Sequence, residues 1–404
     1  MVGLALLQVG LSVDIAFRGV DVRQSEFQQL AARQLKNLSF GNFVDQMRRP
    51  YTEGTKEWRS REQIFLKNLH EIVAFNSVFP RTWTKGPTQF MDFSESERKV
   101  LLGYKGRGLQ HATVPSNGPS QLQQANQSAL PAQVNVEFNR SFGGLVRNQG
   151  NCGSCWAMAA TAVLEGHMEI NANVHQALLT VLQETAPNQR YATLASQALV
   201  SCTLNPHHCG GGGGCTGATA ELAFDLVKER GIPLAVNWNY VSGKGVMPKC
   251  REDVFKGLRV GITGQEQLPR NKFLPLKQAL LESGGPVAIG VDATDWFYYA
   301  GGILTDGKGR FNVNHAVTLT GYQEPKAGNL GWWLIKNSWG VYWGEAGYVR
   351  LEMKVNEEEH CGWDDHAQEG VACDGAPPKA WVCGTCGILY DSVYPKGVHV
   401  IREI

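Results

Sequence analysis

Gln149-Gly150-Asn151-Cys152-Gly153-Ser154-Cys155-Trp156 is the stretch on which the reading of this chain turns. A glycine-bearing turn runs straight into an apolar segment, Ala157 to Leu164, that predicts a buried helix reaching about Glu169. Cys155 then falls at a helix N-terminus, where unpaired backbone N–H groups and the positive end of the helix dipole converge. That setting favours the thiolate, the nucleophilic form of cysteine. Gln149, six residues upstream, carries an amide able to donate to an oxyanion developing at the same spot. Taken alone, Cys152 and Cys155 also fit a redox pair or a structural disulfide, so the decision rests on what the rest of the chain supplies.

The surroundings narrow the choice. A chain of 404 residues with 43% hydrophobic residues has material for two or three domains with real cores. Its net charge of +1 offers no electrostatic footprint for nucleic acid or a membrane surface. The 46 glycines point to many turns rather than long helical bundles. All ten cysteines lie from Cys152 onward, which suits a disulfide-bonded unit made in an oxidising compartment behind a segment of different character. Val2 to Val13 is apolar apart from Gln8 and Ser12, so residues 1–20 read as a candidate secretory signal, too short to span a bilayer. Sequons at Asn37, Asn126 and Asn139 acquire meaning only in a secreted chain.

Two further regions carry pattern. Glu57, Arg61, Phe65, Asn68, Ile72 and Asn76 recur at intervals of 4, 4, 3, 4 and 4, which keeps all six on one stripe of an α-helix. In the second half, residues 286–291, 316–321, 332–336 and 347–351 are β-rich runs broken by glycines, suggesting an antiparallel sheet or barrel. His315 opens one of these strands in Asn314-His315-Ala316-Val317, and Asn337 closes another in Asn337-Ser338-Trp339-Gly340. A nucleophilic thiol needs a base within hydrogen-bond reach, and the base needs a third group to fix its tautomer.

With these residues in place, Cys-Gly-Ser-Cys-Trp at 152–156 resembles the local signature of the papain-like cysteine proteases. The helical stripe, and Gly86-Pro87-Thr88-Gln89-Phe90-Met91-Asp92 after it, resemble the two motifs of the inhibitory propeptide of the cathepsin L-type members of that family. Thr88 stands where that family usually has Asn. The resemblance covers about residues 42–395, with a linker and three insertions unmatched. It implies an α+β fold of two lobes, helical (about 145–255) and antiparallel β-barrel (about 256–404, with an insertion at 353–385), with a cleft between them. A small helical prodomain (38–102) precedes the peptidase domain (131–404), across a linker (103–130) rich in Gln, Ser, Gly, Pro and Asn that suits the maturation cut, placed within Asn126 to Gln133.

The same resemblance assigns roles. Cys155 is the nucleophile of a cysteine endopeptidase made as a zymogen, His315 its base, Asn337 the group orienting His315, and Gln149 an oxyanion donor. Trp339 roofs the His–Asn bond, with Trp343 behind it. Gly217 and Ala218 occupy the place of a Gly-Gly that pairs with substrate backbone, Ala218 departing from the second Gly. Thr219, Ala220, Val313 and Ala316 line the pocket for the second residue on the acyl side of the scissile bond, and Asp391 floors it. A carboxylate there implies acceptance of Arg besides bulky apolar side chains. Cys152 is paired with Cys215, and Cys202 with Cys250. Polypeptides are the substrates, the prosegment is an intramolecular inhibitor lying along the cleft in reverse of substrate, and no cofactor or metal is needed. A monomer in a lysosomal or vacuolar compartment, or outside the cell, is expected, with no nucleic-acid or membrane partner.

Glu57, Arg61, Phe65, Asn68, Ile72, Asn76, Phe90 and Asp92 hold the prodomain in this reading. Salt bridges through Glu57, Arg61 and Asp92 are expected to weaken in acid and favour its release. Residues 171–195 read as a surface insertion. Pro206-His207-His208-Cys209, followed by five glycines, reads as a flexible surface loop, since His-His-Cys lacks a fourth zinc ligand. The family's third disulfide has no counterpart, because the loop Thr305 to Gly309 before His315 lacks cysteine. Two local bridges among Cys361, Cys373, Cys383 and Cys386, with Cys209 unpaired, are expected, a zinc knuckle being the alternative. One other class competes with the enzyme reading, a catalytically latent homologue that keeps its prodomain as a binding protein; a third, a disulfide-rich interaction module in the C-terminal insertion, is compatible with catalysis.

Overall fold

A computed structural model of the chain describes residues 38–78, 80–104, 130–137, 145–185, 192–307 and 309–402. The candidate signal, the asparagines of the three sequons and all of the linker from residue 105 to 129 lie outside the described residues.

Among the described residues, the front unit is three helices and a strand. Helix α1 (Phe40–Met47) starts where Ser39 accepts the Asn42 amide, and α2 (Lys56–Asn76) where Thr55 accepts the Trp58 amide. Strand β1 (Trp83–Lys85) follows, then α3 (Glu95–Leu101), opened by a reciprocal Ser94–Glu97 capping box. The stripe on α2 divides as its residue types dictate. Phe65 and Ile72 are fully buried against Phe40 and Phe43 of α1 and their surroundings. Asn68 Nδ2 donates to the Met91 carbonyl (2.9 Å), and Asn76 both donates to the Lys85 carbonyl (2.7 Å) and accepts its amide (3.0 Å). The helix is thereby bonded to residues 85–92 as well as packed on them.

Glu57, Arg61 and Asp92 all take part in ion pairs, as expected, with Arg49 and Glu97 as further partners. Arg61 makes a two-pronged bond to Glu97 (2.7 Å each) and donates to the Asp92 carbonyl, while Glu57 stands 3.8 Å away on an exposed side chain. The Asp92 carboxylate is held by Arg49 (2.8 Å) and the Tyr51 hydroxyl (2.9 Å). Helix periodicity identifies which residues share a face; the partners from other elements are not in that pattern.

Behind the short strand β2 (Gln133–Asn135), the first lobe is built on α4 (Cys155–Ile170), whose side chains are buried almost all round. Around it pack α5 (Ala172–Thr185), α6 (Ser196–Cys202) and α7 (Ala220–Arg230). Helix α5 corrects the reading of 171–195 as a surface insertion, because Val174 and Leu178 enter the lobe's core, as do Ala192, Leu194 and Ala195 beyond it.

The remaining elements are β3 (Ile232–Pro233), β4 (Arg259–Gly261), β5 (Gly264–Gln267), α8 (Phe273–Glu282), β6 (Val287–Val291), β7 (Tyr299–Leu304), β8 (His315–Gln323), β9 (Gly331–Lys336), β10 (Tyr348–Met353), β11 (Cys361–Asp364), β12 (Ala380–Cys383), β13 (Ser392–Lys396) and β14 (His399–Ile401). Among the described residues, nine strands form one sheet in the order β1-β7-β10-β9-β8-β6-β13-β5, with β2 on β8. All its pairings are antiparallel except β7 with β10. Strand β1 belongs to the front unit, so that unit extends the second lobe's sheet (Trp83 opposite Gly302) and shares its apolar core. Helix α4 packs on β8, and this contact joins the lobes beneath the cleft. No helix among the described residues is long and apolar enough to cross a membrane.

Four disulfides are present: Cys152–Cys215, Cys202–Cys250, Cys209–Cys373 and Cys361–Cys383. The third overturns the expected local pairing and the unpaired Cys209, and Cys386 joins Cys155 as a buried thiol outside any disulfide. His208 is likewise tied down, its Nδ1 lying 2.6 Å from Asp374, so the stretch read as a flexible surface loop is anchored at two points. Three of the four thiolates that a zinc knuckle would use, Cys361, Cys373 and Cys383, are consumed in disulfides.

Candidate active site

Cys155 is the first residue of α4 and is buried where the lobes meet. The Cys152–Cys215 bond pins the turn ahead of it, with the Gly153 amide donating to the Cys215 carbonyl (3.0 Å). Its Sγ accepts the Ala316 amide of β8 (3.4 Å), which places the residue next to His315 on the sulfur from the opposite lobe.

His315 opens β8 opposite Val291, and Asn337 lies just past the end of β9. His315 Nε2 and Asn337 Oδ1 are 2.9 Å apart. The same oxygen accepts the Ser338 backbone N–H (2.8 Å), and since that group can only donate, the amide orientation is fixed. It follows that His315 Nε2 carries the proton and Nδ1 keeps its lone pair. Nδ1 is buried with no hydrogen-bond partner among the described residues. The Trp339 ring lies 4.9 Å from the imidazole, and Trp343 meets Trp339 edge-on at 5.1 Å, so the His–Asn bond is shielded from water. Burial holds the imidazole pKa down to about 4, against a smaller upward pull from Asn337.

Gln149 is oriented from one side, its Oε1 accepting the Ser338 hydroxyl (2.7 Å). Its Nε2 donates to two carbonyls, Cys152 (2.9 Å) and Leu101 of the front unit (2.8 Å). The amide donor beside the thiol is therefore taken by the chain's own backbone.

The front unit reaches this point along a continuous route. Gly86 donates to the Tyr298 carbonyl (2.8 Å) and Thr88 Oγ1 to the Phe297 carbonyl (2.8 Å), a bond Thr makes in place of the expected Asn. Phe90 wedges edge-on between Phe297 (5.4 Å) and Trp339 (5.3 Å). Beyond α3, Gly103 lies against the catalytic turn. A Cβ there would stand 2.7 Å from Cys155 Sγ and collide with the Gly153 carbonyl. On the other side, the Gly103 carbonyl crowds Gly217, whose φ of +101° needs glycine in its own right.

Tyr104 completes the route. Its amide donates to the Asn314 carbonyl (3.1 Å), and its ring, 2% exposed, joins the apolar cluster holding Ala218, Ala220, Val313 and Ala316. Its hydroxyl donates to Asp391 Oδ2 (3.0 Å). Thr219 is buried beside them. The residues expected to line and floor one pocket thus share one buried cluster with this side chain, and Gly103 and Tyr104, read as the start of the linker, are seated against the cleft. Sequence reasoning misses Tyr104; the signal available is an aromatic at the end of Val100-Leu101-Leu102. It misses Glu221 too, whose carboxyl is pushed well up by burial and by the neighbouring Asp391.

Comparison with known proteins agrees with this geometry. The sequence profile of the papain family cysteine proteases matches residues 130–371, and the chain belongs to that family. A senescence-specific cysteine protease of Arabidopsis thaliana is 31% identical over 316 residues, spanning 76% of this chain and 82% of its own length. Among solved structures, a recombinant stem bromelain precursor (27% identical, TM-score 0.63) covers 89% of this chain and 97% of its own. Digestive procathepsin L 3 from the larval midgut of Tenebrio molitor (25% identical, TM-score 0.62) covers 91% and 99%. Both are similar over the front unit as well as the lobes, and this chain is a papain-family cysteine protease zymogen with an α+β fold and an inhibitory propeptide.

Proposed function

We propose that the mature protein is a cysteine endopeptidase working through a thioester. Cys155 attacks the peptide carbonyl as the thiolate, and His315 Nδ1 receives the thiol proton and returns it to the leaving amine. Asn337 holds the imidazole in the tautomer that leaves Nδ1 facing the sulfur. The Gln149 amide and the Cys155 backbone N–H stabilise the tetrahedral oxyanion, and water hydrolyses the acyl-enzyme. The observation that carries this reading is the lone pair kept on His315 Nδ1 by the Asn337–Ser338 bonds, on a strand whose next residue, Ala316, donates to the Cys155 sulfur.

Gly217 and Ala218 pair with substrate backbone on the acyl side, and Ala218, Thr219, Ala220, Val313, Ala316 and Asp391 receive the second acyl-side side chain. Tyr104 supports this, being a bulky ring with a polar tip in that space. Leu or Phe suits the walls and Arg the Asp391 carboxylate. Residues 38–104 act as the inhibitory segment, entering past Trp339 and leaving past Asp391, opposite to substrate. Four disulfides suit the secretory pathway, with residence in an acidic vacuole or outside the cell. The test is to incubate the zymogen in acid and treat it with an epoxide that targets active-site thiols. Mass spectrometry should find one adduct on Cys155 in a shortened chain, and none in Cys155→Ala or His315→Ala; an unlabelled wild-type protein would remove the reading.

A further inference from the structure

The segment between β10 and β13 does more than decorate the second lobe. Its hairpin, β11 and β12, is clasped by Cys361–Cys383, and Val382 enters the apolar cluster that holds Tyr104. Asp364 Oδ2 accepts the Val313 amide (3.2 Å), and Gly370 presses on the Val313 carbonyl so closely that a Cβ has no room. From there the chain leaves its own lobe. Val371 packs against the same cluster as Tyr104, and the Ala372 carbonyl accepts the Gly210 amide (3.1 Å). Cys373 is bonded to Cys209 across 164 residues of sequence. The Asp374 amide donates to the His207 carbonyl (2.8 Å), and its carboxylate meets His208. Gly210, finally, sits on the Ala218 carbonyl (2.7 Å from a Cβ built on Gly210) and on the Thr219 methyl (3.1 Å).

Five residues therefore run from Val313, on one wall of the pocket around Tyr104, to Gly210, which backs the opposite wall. We propose that residues 370–374, locked by Cys209–Cys373, form an outer wall of the pocket for the second acyl-side residue and set its width by tying the two lobes together. The proposal rests on the reading of the cleft given above. The two walls otherwise belong to separate lobes, joined beneath the cleft by α4 on β8, β6 and β13 and by α7 on β5 and β13. A pocket whose sides can spread accepts large and small side chains with little discrimination. One held by a covalent strap fits a ring such as that of Tyr104 closely and gains from its full burial.

Two variants test this: the pair Cys209→Ser/Cys373→Ser, which cuts the tie, and Val371→Gly, which keeps the tie and removes the wall side chain. In acid-processed protein the readout is the ratio of kcat/KM for peptides with Phe and with Gly at the second acyl-side position, together with the rate at which iodoacetamide alkylates Cys155. The ratio should fall roughly tenfold in both variants, through KM for the Phe peptide, with alkylation and the Gly peptide within about twofold of wild type. A ratio unchanged in both, whether or not overall activity drops, overturns the proposal. Should wild-type protein turn over no peptide, it is the catalytic reading that fails, and the pocket is then read in the zymogen. There the double variant must exchange the Tyr104 amide hydrogen faster than wild type, and an unchanged rate overturns the strap.

Discussion

Mild acid should open this zymogen chiefly through one imidazole, and the size of the effect follows from its burial. With Gly103 and Tyr104 seated, His315 is fully enclosed and its pKa is held down to about 4. In an open cleft it returns to at least the ordinary value of about 6.5, and a thiolate partner raises it further. The closed form therefore binds fewer protons than the open form between these values. Its advantage is complete above about 6.5 and is lost as pH falls toward about 4. For the two values given, the loss is about 0.1 kcal/mol at pH 7.5 and about 2.5 kcal/mol at pH 4.5, roughly a seventyfold shift toward opening.

The Arg61–Glu97 pair does not supply this window. Glu97, paired with Arg61, titrates at about 2, so its stabilisation is present above the ordinary carboxylate value and fades only below it. The assay is hydrogen exchange of the Tyr104 amide in Cys155→Ala zymogen from pH 7.5 to 4.5, corrected for intrinsic exchange, with and without His315→Gln. The parent should show the steep acid rise and the His315→Gln protein should lose it. Equal slopes in the two proteins would refute the reasoning.

Gly103→Ala should unseat the propeptide, since the added methyl meets Cys155 Sγ and the Gly153 carbonyl. An overpacking cost of about 1–3 kcal/mol predicts neutral-pH activity of the zymogen raised roughly tenfold, and an equally latent variant counts against the seat described. Asp391→Asn should lower turnover of peptides with Arg at the second acyl-side position by about tenfold while sparing those with Leu, as expected for one charge-assisted bond; equal losses on both remove that role. Glu97→Gln should cost the propeptide unit about 1 kcal/mol at pH 7 and the same at pH 5, read as local protection of α2 in hydrogen exchange, and a loss that vanishes by pH 5 contradicts the assigned window.

The sequence carried those parts of the site that short stretches determine. Cys155 is legible because a turn and an apolar helix define its position locally, and the strands of the second lobe because glycines break β-rich runs. The α2 stripe identifies a buried face without its partners: Arg49 and Glu97 come from neighbouring elements whose approach only the fold decides. Tyr104 is hidden by composition, sitting at the border of a Gln- and Ser-rich stretch that gives no reason for burial. The pairing of Cys209 with Cys373 is illegible for a stronger reason. A disulfide records proximity in space, and nothing near either cysteine encodes a partner 164 residues away. Glu221 and Asp391 are likewise neighbours only because α7 and the start of β13 meet under the cleft.

The central claim is that the sulfur of Cys155 and the imidazole of His315 exist as an ion pair once the propeptide leaves. The direct measurement is the rate of Cys155 alkylation by iodoacetamide in the processed enzyme as a function of pH. Reactivity should persist well into the acid range and collapse there in His315→Ala, because the paired thiolate forms far below the usual thiol pKa of about 8.5. A single rise centred near 8.5, identical in the two proteins, would contradict the account.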